Sequence, residues 1–194
     1  MGAHLMIKFT VAVIAFVLLS AACTANPLNE ERFKTLLSEQ EAHAAIGLHI
    51  AKEIQFLDIA EADHLLAQEG MHALTMARRA GLVDRQGVIF VTETGFGSVS
   101  LDIEEFATDR HAREQLVVLI ERNGLTPTAT RVGYRSVEGA IGGVDSASLL
   151  ASLEVSFVTG RRVVSLHVSA DPHADLTPYR DGLRQLAELV DGRL

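Results

Sequence analysis

From Gly87 onward the apolar residues stop recurring every three or four positions and begin to alternate, and that switch limits the fold more than any other feature of the chain. Val99, Leu101 and Ile103 share one face of a segment from Ser98 to Phe106, and a segment from Val88 to Glu93 precedes it across Thr94-Gly95-Phe96-Gly97. Two strands joined by a glycine-bearing turn follow from that pattern. Thr108 or Asp109 then caps a helix with Ala112, Leu116, Leu119 and Ile120 on one stripe, closed by Asn123-Gly124. A third strand is expected from Thr128 to Val137, and a hairpin from Ser152 to Ser169. If Thr159-Gly160 is its two-residue turn, Val155 faces Val164, Leu153 faces Leu166, Glu154 faces Ser165 and Ser152 faces His167. Apolar then meets apolar, and a one-residue slip destroys the match. Thr177-Pro178 opens a last helix carrying Tyr179, Leu183, Leu186, Ala187 and Val190 on one face.

Before Gly87 the period is helical. Asn26-Pro27 is a cap followed by proline, with Glu30 and Glu31 placed against the positive end of a helix dipole. Phe33, Leu36, Leu37, Gln40 and Ala44 recur at helical steps, as do Ile46, Ile50, Ile54, Leu57 and Leu65. Two or three helices over residues 27–80 are expected, broken at Gly47 and Gly70 and capped at Gly81, although Ile46, Leu48 and Ile50 also alternate as a strand would. The whole order predicts an α+β fold: N-terminal helices followed by a mostly antiparallel sheet of about five strands, packed by two helices. The expected boundaries are a helical region at 27–81 and an α+β domain at 87–194.

Residues 1–22 have the three parts of a secretory signal: Lys8 as the basic region, an apolar run from Phe9 to Leu19, and the small residues Ser20, Ala21 and Ala22. The run is too short to span a hydrocarbon core of about 30 Å as a helix. Met6 is the more usual start for such a signal than Met1, and Gly2 lacks the Ser or Thr that N-myristoylation requires at position 6. Leu19-Ser20-Ala21-Ala22-Cys23 resembles a bacterial lipoprotein signal, departing from it at Ser20, where Leu is commoner. The resemblance implies cleavage before Cys23, a lipid on Cys23, a short tether at 23–26 and residence on the outer face of the cell membrane or at the outer membrane. The alternative is ordinary signal cleavage leaving a free thiol. Cys23 is the only cysteine, so no internal disulfide is possible and stability must come from the core.

With 48% apolar and 22% charged residues the chain is a folded globule, and a net charge of −8 without a basic cluster excludes nucleic acid as partner. Arg78-Arg79 and Arg161-Arg162 are expected to be solvated charges at element ends.

The stretch from Ala77 to Leu194 is similar to small extracytoplasmic domains of bacterial lipoproteins, in particular LpqN-like and PknH-sensor-like ones. Phe106-Ala107-Thr108-Asp109, the strand pair from Val155 to Val164 and the helix from Leu183 to Val190 carry the likeness. It implies an envelope domain that binds or senses something, and transfers no catalytic residue.

Among chemical constellations, Glu61-x-x-His64 and Glu69-x-x-His72 have the spacing of carboxylate-bridged dimetal bundles, so Glu61, His64, Glu69 and His72 are the candidate metal ligands. Exposed polar helix positions explain the same residues, and the ligand set is incomplete without carboxylates from two further helices. His49 and Glu53 are expected to form a surface pair on a helix. Gly95-Phe96-Gly97-Ser98 lacks the last glycine of a nucleophile elbow, and Ser165, His167 and Asp171 cluster without a defined triad geometry. Gly139 to Gly143 is expected to be a flexible loop at the rim of a cleft. Together these predict a lipid-anchored, non-catalytic protein without cofactor that binds a small molecule, a lipid or another envelope protein; metal binding through the Glu/His pairs is the alternative.

Overall fold

The computed structural model describes residues 28–68, 81–93, 97–128, 132–141, 151–171 and 173–194. The chain divides into two units, Met1–Phe33 and Lys34–Leu194. Of the first only residues 28–33 are described. There Asn29 Oδ1 accepts the backbone N–H of Arg32 at 2.8 Å, which starts helix α1 (Glu30–Lys34) three residues after the Asn26-Pro27 pair.

The second unit holds helix α2 (Glu39–Ile46), strand β1 (Ile50–Phe56), helix α3 (Ile59–Gln68), strands β2 (Leu82–Thr92) and β3 (Ser98–Phe106), helix α4 (Asp109–Asn123), strands β4 (Thr126–Pro127), β5 (Arg135–Ile141), β6 (Ala151–Thr159) and β7 (Arg162–Ala170), and helix α5 (Thr177–Asp191). The strands form one seven-stranded sheet in the order β1-β2-β3-β7-β6-β5-β4, with every pair antiparallel. The α+β class is therefore as expected, with seven strands in place of about five.

The helix ends follow local chemistry. Ser38 caps α2 in a reciprocal capping box with Glu41, and Gly47 closes it at φ 77°. Thr108 caps α4 by accepting His111 N–H, and Gly124 closes it at φ 65°.

Three expectations are corrected. Residues 50–56 are a strand, not helix: Ile50, Ile54 and Leu57 mimic helical spacing, but Ile50–Phe56 pairs along β2 as the outer strand of the sheet. Gly139 lies inside β5 opposite Glu154, with Leu125 packed over it, so the segment up to Ile141 is strand instead of loop, and β5 begins at Arg135, later than expected. The β6–β7 hairpin is shifted by two residues: Thr159 pairs with Arg162, Val155 with Leu166, Leu153 with Val168 and Glu154 with His167. Its loop is Gly160-Arg161, with Gly160 at φ 56° in the first central position of the turn. Because the shift is even, every side chain stays on its expected face.

The two faces of the sheet differ. On one, Val88 and Phe90 of β2, Val99, Leu101 and Ile103 of β3, Val164, Leu166 and Val168 of β7, and Leu153, Val155 and Phe157 of β6 are buried. Helix α5 packs there on β6 and β7 through Leu183, Leu186, Ala187 and Val190. Helix α2 backs onto α5, where a methyl on Gly182 would meet the Ala45 carbonyl oxygen at 2.2 Å. The opposite face is covered at one end by α4, whose Ala112, Leu116 and Leu119 pack with Phe106, Leu125, Val137, Val158 and Val163. Beyond the end of α4 that face changes character.

Candidate functional site

Two-residue steps along β3 from Phe106 lead to Glu104, Asp102, Ser100 and Ser98, and along β7 from Val163 to Ser165, His167 and Ser169. On β6 the same face carries Val158, Ser156, Glu154 and Ser152. The apolar end of each strand lies under α4, and the polar end lies beyond it. Register places these residues in rows: Ser98, Ser169 and Ser152; Ser100, His167 and Glu154; Asp102, Ser165 and Ser156.

A cavity of about 330 Å³ occupies this polar half. Its floor is small because five of the lining residues on β3, β6 and β7 are serines. Its walls are large: Phe56 and Ile89 on one side, and Leu119, Arg122 and Asn123 from the last turns of α4 on the other. Small residues in the middle of a sheet with bulk at both flanks produce depth, and the depth is a consequence of sequence. The volume falls at the lower end of the range for small-molecule sites, roughly 300–1,000 Å³.

Much of the polar floor is internally bonded. Glu154, only 1% exposed, accepts Asn123 Nδ2 at 2.8 Å and the Ser156 hydroxyl. Ser156 and Ser165 share a hydroxyl contact of 2.7 Å, and Ser152 and Ser169 one of 3.0 Å. Arg85 forms a two-pronged ion pair with Asp102, its Nε 3.0 Å from Oδ1, and its guanidinium stands 5.5 Å from the centre of the Phe56 ring. Paired charge of this kind holds the wall in place and leaves no isolated charge from that pair. The side chains of Ser98, Ser100 and His167, by contrast, make no hydrogen bond among the described residues. They adjoin one another on β3 and β7, with Ser100 opposite His167.

Sequence reasoning placed Ser165 and His167 on one sheet face, and they do line one cavity, but Asp171 lies past the end of β7 and outside the lining. Ser98, Ser100, Asp102 and Glu154 were not singled out as site residues; their signal was a polar residue at every second position of three strands that pair side by side. Gly95 and Phe96 lie outside the described residues, while Gly97 and Ser98 precede and open β3, a strand-to-strand connection as expected.

Two of the four candidate metal ligands are described. Glu61 and His64 sit on α3, whereas Glu69 and His72 lie outside the described residues. Glu61 Oε2 accepts Leu57 N–H at 2.7 Å while Asp58 Oδ1 accepts Glu61 N–H at 2.8 Å, so this carboxylate caps the start of its own helix. No cluster of three potential metal-binding side chains occurs among the described residues. His49 precedes β1, so it and Glu53 do not share a helix; the His49 ring lies 5.0 Å from that of His43, and Glu53 accepts from Gln55. Arg161 and Arg162 are not merely solvated: both donate to Glu105, at 2.6 and 3.2 Å. Cys23 and Arg78-Arg79 lie outside the described residues, and no described helix is long and apolar enough to cross a membrane.

No protein family matches the chain, and no curated protein matches it. Among solved structures it is similar to the extracellular domain of PknH from Mycobacterium tuberculosis, with a TM-score of 0.48 and 17% identity over 87% of this chain and 97% of that one.

Proposed function

We propose that this protein is a lipid-anchored, extracytoplasmic binding protein whose sheet-face cavity takes a small polar ligand without transforming it. The cavity is the observation that carries the reading. A sheet face meant only for solvent has no need of a floor of serines between bulky walls, nor of a carboxylate as buried as that of Glu154. The absence of turnover is supported by the way Glu154 is already engaged by Asn123 and Ser156, so that it does not orient His167 toward Ser100.

The anchor rests on the sequence: Lys8, the run from Phe9 to Leu19 and the small residues before Cys23. A tether that short keeps the domain close to the membrane surface, where a solute-binding cavity serves capture or sensing.

The test is made on the full chain expressed in a bacterium and extracted from its membranes. Metabolic labelling with an alkynyl palmitate is expected to mark the protein and to be lost in Cys23→Ser. Native mass spectrometry of the same sample is expected to show an organic adduct that disappears when Ser165→Trp fills the cavity. Unprocessed, unlabelled protein in the cytosol overturns the anchor, and an adduct unaffected by filling the cavity overturns the site.

A further inference from the structure

We infer that the ligand of this cavity is a neutral, hydroxyl-rich small molecule of the saccharide or polyol class, recognised by Ser98, Ser100 and His167. The inference rests on the binding reading above and specifies its chemistry.

Three observations lead to it. First, the lining groups without a hydrogen-bond partner among the described residues are two hydroxyls and an imidazole, each able both to donate and to accept. A ligand hydroxyl has the same dual capacity, so each contact can be made in either sense without leaving a lone donor or acceptor in the cavity. Second, each of the charged side chains lining the cavity, Arg85, Asp102, Glu104, Arg122 and Glu154, already has a partner within the protein. Arg85 is neutralised by Asp102, and the Glu154 oxygens already accept from Asn123 and Ser156. A ligand carboxylate or ammonium would lose its water without gaining a counter-charge from these groups.

Third, the spacing suits a ring. Ser98 and Ser100 are two residues apart on one strand, about 6.8 Å, and Ser100 lies opposite His167 across a strand separation of about 4.8 Å. That triangle matches hydroxyls spread around one ring better than a linear chain or a planar base. The apolar walls given by Phe56, Ile89 and Leu119 face the C–H surfaces that such a ring also carries.

The experiment uses the full-length protein in detergent micelles and four probes of similar shape: glucose and myo-inositol as neutral polyols, glucuronate as an anion and glucosamine as a cation. Saturation-transfer NMR and titration calorimetry read binding. The expected result is binding of at least one neutral probe, with the charged analogues weaker by about 10-fold or more. Ser98→Ala and Ser100→Ala are each expected to weaken the neutral probe by about 3- to 10-fold, the loss of one hydrogen bond. Ser100→Thr, which keeps the hydroxyl, should restore most of it, and circular dichroism melting of each variant separates lost contact from lost fold. Tighter binding of glucuronate or glucosamine overturns the neutral-ligand inference while leaving the cavity a binding site. Binding insensitive to both serine substitutions overturns the assigned residues, and failure of all four probes to bind overturns the polyol inference; if an adduct sensitive to Ser165→Trp is nevertheless retained, the binding reading itself stands.

Discussion

The ring of Phe56 lies on the backbone of Gly87, so closely that a methyl on Gly87 would stand 2.1 Å from Phe56 Cζ and 2.8 Å from the Leu101 carbonyl oxygen. The two residues are cross-strand partners in the β1–β2 register, and Phe56 is 3% exposed. Glycine is required at 87 because of this approach and not because of its backbone angle. Phe56 in turn carries the Arg85 guanidinium over its ring, which connects a glycine in the sheet to the position of the Arg85–Asp102 pair at the cavity wall.

Gly87→Ala is therefore expected to destabilise the protein by about 1–3 kcal/mol, the usual penalty of overpacking. Chemical denaturation gives the value directly. The Leu101 carbonyl cannot retreat, so trimming Phe56 to Leu in the same chain should recover only part of the loss; full recovery would mean that the ring alone is the obstacle.

A second prediction concerns the acid limb of stability. Arg193 donates to Glu41 at 2.6 and 3.0 Å and also to the carbonyl oxygens of Thr35 and Leu36, tying the end of the chain to the segment that enters α2. The side-chain hydrogen bonds from Arg193, with help from Ser38 and against the cost of partial burial, lower the Glu41 carboxyl from its ordinary 4.5 to about 2. A depressed carboxyl contributes stability that is fully present above pH 4.5 and is lost as the pH falls through about 2. Both side chains are about one-third exposed, so screening reduces the contribution to about 1 kcal/mol. Arg193→Ala should lower stability by that amount at neutral pH and by progressively less toward pH 2, measured by melting across the acid range. An equal loss at every pH would assign the effect to the Thr35 and Leu36 contacts instead.

Glu154 supplies a third. Glu154→Ala would leave the partly buried Asn123 amide without its acceptor, while Ser156 keeps Ser165, and is expected to cost about 1–3 kcal/mol. Asn123→Ala combined with it should cost clearly less than the two single losses together, because the same hydrogen bond is removed twice. Additive losses in a double-mutant cycle would show that the contact does not stabilise the end of α4.

The particular failures of sequence reasoning explain what was legible. Alternation in β3, β6 and β7 assigned faces correctly, since a period of two is a direct consequence of the pleat. It could not fix the hairpin register, because a shift of two residues keeps Val, Leu and Phe opposite one another; the position of Gly160 in the turn decides it. Strand β1 escaped because an outer strand with Ala51, Lys52 and Glu53 exposed lacks clean alternation, leaving Ile50, Ile54 and Leu57 to imitate a helix. The cavity was hidden for a different reason. Its serines look the same in sequence whether the face is open to water or walled, and the outcome depends on where α4 stops across the sheet. Neither the end of a helix over a distant strand nor the side-by-side placement of β3 and β7 is encoded in any local window.

The last prediction compares neighbours on β7 that point to opposite faces. Leu166 is fully buried against the side covered by α5, and Ser165 lies on the cavity floor with its hydroxyl 2.7 Å from that of Ser156. Leu166→Ala should cost about 2–5 kcal/mol, the transfer and cavity penalty of a core leucine. Ser165→Ala removes one hydroxyl contact from a group whose partner also bonds Glu154, and about 1 kcal/mol or less is expected. Paired denaturation curves on the two variants measure the difference. Comparable losses would mean that the polar face is as tightly packed as the apolar one, which is incompatible with an open cavity; a large difference is what a sheet with one structural face and one binding face requires.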